Sequence, residues 1–315
     1  MQETEVSEVV CLGQCTADVV VRPVAGLPEE GKAIFVENIA LTNGGCACNT
    51  AMALARLGVA ASVIGKVGRD AFGDFLLRLM QREGLDTRAM VRDASVSTSS
   101  TVVLIHPQGE RSFLHFSGGN ADLSEDEVDY GLIGTAKLLH VAAAFLVPGL
   151  DGEPMARVLS KAREMGVTTS LDTAWDAEGR WMELVRPCLA EVDIFMPSIE
   201  EARLLSGRDD PADMAAVFLD HGVGTVVIKL GAAGCYARTA GSEWRIPAFD
   251  VETVVDTLGA GDSFVAGFLA ATLKGWSVDQ ACRFANAVGA CCVSASGTAG
   301  IRPFDEVVRL YPLAD

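Results

Sequence analysis

Residues 256–271, DTLGAGDSFVAGFLAA, put Gly259, Gly261 and Asp262 where a glycine-rich turn passes into an apolar run. The preceding VETVV (251–255) reads as a short β-branched strand, and 263–274 carries apolar positions at helical spacing, so strand, turn and helix are expected in that order. The first N–H groups of a helix have no partners within it, and the macrodipole adds partial positive charge there. Gly259, Ala260 and Gly261 therefore offer a hole for an anion, with small side chains that let it come close. Asp262 has two readings. A lone acid in a first turn commonly does no more than stabilise its helix. An acid beside an anion site is otherwise repelled by the ligand, unless it serves as the base that takes a proton from a hydroxyl attacking a phosphate.

A second glycine turn enters a helix in GGCACNTAMALARLG (44–58), where Gly58 reads as the residue that ends the helix. Asn49, four residues inside, is either a pocket hydrogen-bonding group or part of a solvated face. Two apparent signatures fail on inspection. GLPEEGKA (26–33) has the spacing of a phosphate-binding loop, but Ala33 stands where a hydroxyl is needed, Glu29 and Glu30 would repel phosphate, and no continuous helix follows. GAGDSF begins like a dinucleotide fingerprint and lacks its third glycine, which disfavours an NAD-dependent oxidoreductase.

These turns need a scaffold. The 315 residues are 50% apolar, enough for one large core. A net charge of -17 excludes the clustered basic surfaces that nucleic acid or an anionic membrane requires. No apolar stretch is long enough to span a bilayer, and the acidic start MQETEVSEVV lacks a signal peptide's features, so a cytoplasmic location is expected. Nine cysteines, an odd number without zinc-ribbon spacing, read as reduced thiols, most of them core residues. Cys15, Cys46 and Cys48 are expected close to the pocket.

Strand candidates at 8–13, 61–66, 137–143, 167–172, 193–197 and 225–230 alternate with helical patterns at 46–57, 71–83, 153–165, 199–206 and 212–220. That alternation predicts an α/β fold with a mainly parallel sheet covered on both faces and a ligand site beyond the carboxyl ends of the strands. Residues 32–42 and 100–116, the latter a hairpin around 107–109, have no adjoining helix and predict a small separate sheet over the pocket.

Taken together, DTLGAGDSFVAGFL and GGCACNTAMALARLG resemble the two signatures of the ribokinase-like, PfkB-type carbohydrate kinases. GQCTADVVV (13–21), VGRDAFGDFL (67–76), MPSIEEARLLSG (196–207) and IKLGAAGCYA (228–237) extend the likeness over essentially the whole chain. The resemblance implies one domain, 1–315, folded as a ribokinase-like three-layer α/β/α sandwich, with lid strands within about 14–43 and 98–119. It implies transfer of the γ-phosphate of ATP, with Mg2+, to a sugar hydroxyl, with Asp262 as base and Gly259, Ala260 and Gly261 as the anion hole. Asp18, Gly44, Gly45 and Asn49 would bind the sugar, and Glu201 would organise Mg2+ through water. Gly231 would lie in the nucleotide loop and Asn286 near adenine; without the resemblance they read as a hairpin glycine and a helix-face residue. Many members also bind a monovalent cation such as K+ through backbone carbonyls, and the matching positions are Asp256, Leu258, Cys292, Ala295, Gly297 and Ile301.

Two departures stand out. Pro197-Ser198 replaces the usual Pro-Asn, which puts contacts of Ser198 with Mg2+ and phosphate in question and admits a nucleotide-binding regulator without turnover. Lys229 stands where other members have Thr, and either brings charge to the β- or γ-phosphate or points to solvent. Residues 42–51 contain no Lys or Arg, so an unphosphorylated sugar is expected unless Arg22, Lys32 or Arg111 reaches in. Phe35, Phe113 and Phe116 admit a nucleoside acceptor instead, by stacking on a base. Ile34, Val36 and Ile39 on exposed strands predict a homodimer that covers the small sheet.

Overall fold

A computed structural model describes residues 7–295 and 297–312. The first six residues of the acidic start lie outside the described residues, and no helix among those described is long and apolar enough to cross a membrane. Strands β1 (Val9–Gly13), β2 (Thr16–Arg22), β3 (Asn38–Gly44), β4 (Ala61–Ile64), β5 (Lys66–Gly68), β6 (Val91–Asp93), β7 (Ser100–Ile105) and β8 (Arg111–Phe116) come first along the chain. They are followed by β9 (Leu138–Ala144), β10 (Thr168–Thr173), β11 (Ile194–Phe195), β12 (Thr225–Lys229), β13 (Cys235–Thr239) and β14 (Glu243–Ile246).

The main sheet has the order β14-β13-β12-β11-β10-β9-β1-β4; it is parallel from β4 to β12 and antiparallel through β13 and β14. Side chains alternate across a strand, so apolar residues at every position bury both faces. Val9 and Cys11 of β1 enter one core with helices Cys46–Arg56, Ala260–Leu273 and Val278–Val293. Val10 and Leu12 enter the other, with helices Glu153–Glu164, Met182–Leu189 and Pro211–Asp220. Every main-sheet strand read from the sequence is present, but the 61–66 candidate stops at Ile64 and Lys66 begins β5, which pairs only with β6.

A separate four-stranded sheet has the order β3-β2-β7-β8. Its strands came only partly from the sequence. Residues 32–37 form no strand, so Ile34, Phe35 and Val36 lie on an exposed loop, whereas β2 supplies the sheet's centre. The hairpin at 107–109 is present, closed by the His106 amide donating to, and its carbonyl accepting from, the loop residues Glu110 and Gly109.

The expected strand at 251–255 is absent. VETVV has β-branched side chains but lies mostly exposed, with the Val255 and Asp256 amides both donating to the Val293 carbonyl rather than to a strand. The helix after it starts at Ala260, three residues earlier than its apolar spacing indicates, because Gly259 caps it in the left-handed conformation at φ 75°.

Candidate active site

The carboxyl ends of β1, β10, β11 and β12 converge, and the residues there set the charges of the site. Lys229, at the end of β12, donates to both carboxylate oxygens of Asp172 on β10, each at 2.7 Å. Both side chains are nearly buried, so the pair is held in low dielectric. Burial lowers the affinity of Lys229 for its proton, but the carboxylates of Asp172, Glu201 and Asp262 outweigh it and hold Lys229 charged. Lys229 therefore does not point to solvent. Its Nζ lies 3.8 Å from where a Cβ on Gly261 would stand, a space that glycine leaves open.

Asp262 lies in the first turn of its helix, buried. Burial pushes its carboxyl above the ordinary carboxylate range, against the pull of Asn49, Lys229 and Cys46. Asn49 donates to Asp262 Oδ2 at 2.8 Å, and Asn43 donates to Asn49 Oδ1 at 2.8 Å, so an amide chain runs from β3 to the acid. Asn49 is thus a pocket residue rather than part of a solvated face. Asn43 carried no signal beyond its place before two glycines.

Asp18 on β2 is buried with Oδ1 lacking a protein partner, and burial pushes its carboxyl up to about 7. A Cβ on Gly44 would stand 2.1 Å from Asp18 Oδ2, so only glycine fits beside it. Gly45, at φ 84°, caps helix Cys46–Arg56, and a Cβ there would meet the Gln14 carbonyl at 2.5 Å. An orphaned buried carboxylate in a glycine cradle suits a polyhydroxy ligand, which would supply the missing donor.

Two cavities flank the turn at 256–261. The first, about 360 Å³, lies under the small sheet, with Arg22, Ala40, Thr42, Asn49, Arg111, Leu258 and Gly259 in its wall. The second, about 430 Å³, is walled by Lys229, Gly231, Phe249, Ala260, Gly261 and Asn286. Gly231 opens the short turn between β12 and β13, and Asn286 donates to the carbonyls of Ile246 and Pro247 while facing this cavity. The hairpin glycine of the plain reading is thus also a wall residue. Asn286 is buried, not a solvated face.

Ser198 caps helix Ile199–Ser206: its hydroxyl accepts from the Glu201 amide, and Glu201 Oε2 accepts from the Ser198 amide at 2.8 Å. Thr173 also donates to Glu201 Oε2, at 2.9 Å. The change from Asn to Ser therefore preserves a helix cap. Among the described residues no three His, Cys, Asp or Glu side chains stand close enough together to hold a metal ion directly. Of the six carbonyl positions matched for a monovalent cation, those of Leu258 and Gly297 converge on the Cys292 thiol, at 3.6 and 3.3 Å. The Ala295 amide donates to the Cys292 carbonyl and that of Ile301 to Thr298, while Asp256 acts through its side chain.

The structure also places the thiols, the small-sheet aromatics and Lys32. Cys15 and Cys48 lie beside the site as expected, Cys15 against Gly45 and Cys48 near Asp18 and Asp262, but both are fully buried, and only Cys46 is partly open there. Phe35, Phe113 and Phe116 are exposed and line neither cavity, and of the three Phe113 pairs with Val103 on the sheet face that borders the first. Lys32 engages Glu29 on an exposed loop and lines neither cavity, and GLPEEGKA forms no phosphate loop, as its residues indicated.

The two cavities of this α/β sandwich thus meet at one glycine turn, with a carboxylate buried behind it. The chain belongs to the pfkB family of carbohydrate kinases, whose model matches residues 6–304. It is 32% identical over 266 residues to the 2-dehydro-3-deoxygluconokinase of Bacillus subtilis (strain 168), covering 80% of this chain and 81% of that one. It is 29% identical over 305 residues to fructokinase-2 of Zea mays, covering 92% and 89%. A candidate ribokinase II of E. coli in complex with ATP and Mg2+ superposes with a TM-score of 0.83 at 25% identity, covering 96% and 98%. The protein is a sugar kinase, an ATP-dependent phosphotransferase, as the sequence resemblance implied.

Proposed function

We propose that the protein, as one kinase domain of residues 1–315, transfers the γ-phosphate of ATP to a hydroxyl of an unphosphorylated sugar held under the small sheet, which serves as a lid. The shared wall carries this reading: Leu258 and Gly259 face one cavity, Ala260 and Gly261 the other, and Asp262 follows directly. The lid-side cavity takes the acceptor and the second takes the nucleotide.

In this mechanism Asp18 binds acceptor hydroxyls, with Gly44, Gly45 and Asn49 shaping the pocket. Asp262 takes the proton of the attacking hydroxyl, oriented by Asn49. The N–H groups of Gly259, Ala260 and Gly261, with Lys229 behind them, stabilise negative charge that develops on the group in transit. Asp172 fixes Lys229 in place. Gly231 and Asn286 border the nucleotide, and the Ser198 amide fixes Glu201, which would face the water shell of a bound metal. Mg2+ would neutralise phosphate charge, and a monovalent cation such as K+ would have to displace the Cys292 thiol from the carbonyls of Leu258 and Gly297.

The acceptor wall contains Arg22, Arg56 and Arg111, but Glu83 neutralises Arg56 and Asp256 neutralises Arg111. Arg22 alone among the three has no ion pair among the described residues, too little charge for a phosphate dianion. ADP release over a panel of sugars, sugar phosphates and nucleosides tests this. Turnover is expected with a free sugar; a clear preference for a sugar phosphate or a nucleoside would overturn the acceptor class.

The raised Asp262 carboxyl gives a pH dependence with a definite sign. The base works ionised, so kcat/KM should fall on acidification at a pH above the ordinary carboxylate range near ~4. Asn49→Leu removes a donor that favours the charged form and should move this limb further up. A limb that stays in place in the variant would show that Asn49 does not act on the base.

We further propose a cytoplasmic homodimer. The nine free thiols, most of them buried, suit a reducing compartment. On the outer face of the lid, Ile39, Leu41, Leu114 and Phe116 are exposed together, and β3 and β8 are open edges. Light scattering at micromolar concentration should give twice the chain mass, and Leu114→Glu should halve it. A wild-type monomer would refute the dimer.

A further inference from the structure

The anion-hole turn is tied to the small sheet by one ion pair. Arg111, the first residue of β8, donates to Asp256 Oδ1 and reaches Thr257 Oγ1 at 3.5 Å, across 145 residues of chain. Asp256 is a hub. Its Oδ1 also accepts from the Leu258 amide at 2.8 Å, and its Oδ2 accepts from the Gly297 amide at 3.2 Å. Gly259, next in the chain, is the αL cap from which helix Ala260–Leu273 starts.

The surroundings make this hub consequential. No strand ladder holds 251–255; the backbone of the turn is otherwise tied by Val255 and Asp256 to Val293, by Ala260 to Thr257, by Ser263 to Gly259 and by the Cys292 thiol to the Leu258 carbonyl. Asp256 and Arg111 are only 14% and 20% exposed, so their charge-assisted contact is shielded from water and competing ions. The guanidinium also cancels a carboxylate in the wall beside the anion hole. Arg111 reaches Asp256 only while the 106–111 hairpin lies against the turn.

We propose that Arg111 is a positioning residue: by clamping Asp256 from the lid, it sets the 256–261 turn in the geometry that receives the transferred phosphate, so lid closure and assembly of the anion hole are one event. This rests on the reading of that turn and Asp262 given above. The guanidinium acts through Asp256 and touches no reacting group.

Amide hydrogen exchange on the full chain, without ligand, reads the clamp directly. In Arg111→Met, protection across 256–263 should fall by roughly tenfold or more while helix Val278–Val293 keeps its own, and Arg111→Lys should restore part of it. Kinetics with D-fructose, or whichever panel sugar turns over, should show kcat falling ~10- to 100-fold in Arg111→Met, with the KM for ATP within about twofold of wild type and partial recovery in Arg111→Lys. Asp256→Asn should reproduce the loss, and the double variant should add little to either single one. Unchanged protection and unchanged kcat in Arg111→Met would overturn the clamp. If Asp262→Asn keeps wild-type turnover, the reading of the site fails instead, so the two failures are distinguishable.

Discussion

Asp262→Asn should fold as the wild type does and lose roughly 10²- to 10⁴-fold in turnover. The substitution keeps the shape and the place beside Asn49, but an amide cannot take a proton. ATP affinity should hold or improve, because a negative charge beside the phosphates is removed. A first-turn acid that only stabilises its helix would cost at most about 1 kcal/mol of stability on replacement and leave turnover intact. Turnover and ATP binding measured on the same folded variant separate the two roles. A turnover number within a few-fold of wild type, about 1 kcal/mol of barrier, would remove Asp262 as the base.

The second large effect is expected at Lys229. Lys229→Met leaves Asp172 buried without its partner, which should destabilise the fold by roughly 3–5 kcal/mol. Turnover should fall as well, by ~10²- to 10³-fold, the loss typical when one stabilising donor is removed from developing charge. Stability and chemistry separate in the double variant Lys229→Met with Asp172→Leu. Replacing the whole pair by apolar groups should return most of the stability in a thermal melt, because neither charge is then stranded. Turnover should stay low. Recovery of both together would make Lys229 a structural residue only.

The sequence reveals the parts of this site that are local. The glycine turn before Asp262, the helix at 199–206 and the glycine pair ahead of Asn49 each follow from a few neighbouring residues, and each stands where expected. Non-local parts are silent. Asp172 is the penultimate residue of β10, and nothing near it in the chain reports that Lys229, 57 residues on, will arrive beside it. The same holds for Arg111 and Asp256. Residues 251–255 mislead for the opposite reason: β-branched side chains favour a strand, but a strand needs a neighbouring edge, and here none is offered. Cys15 and Cys48 lie next to pocket residues in sequence and face the core in space. Adjacency in the loop before β2 and along the helix after Gly45 says nothing about whether a thiol is open to the pocket.

The two cavities draw on separate stretches of chain. Apart from the shared turn and its neighbours, the acceptor side is built from residues before 112 and a short piece at 297–299, whereas the donor side is built from 229 onward. Variation in the first stretch, away from Asn49 and Arg111, can retune which molecule is accepted without disturbing the apparatus that delivers phosphate. A gene of this design can diversify its diet by drift in its N-terminal third, and chimaeras joined between the two stretches should inherit acceptor choice from one parent and nucleotide handling from the other.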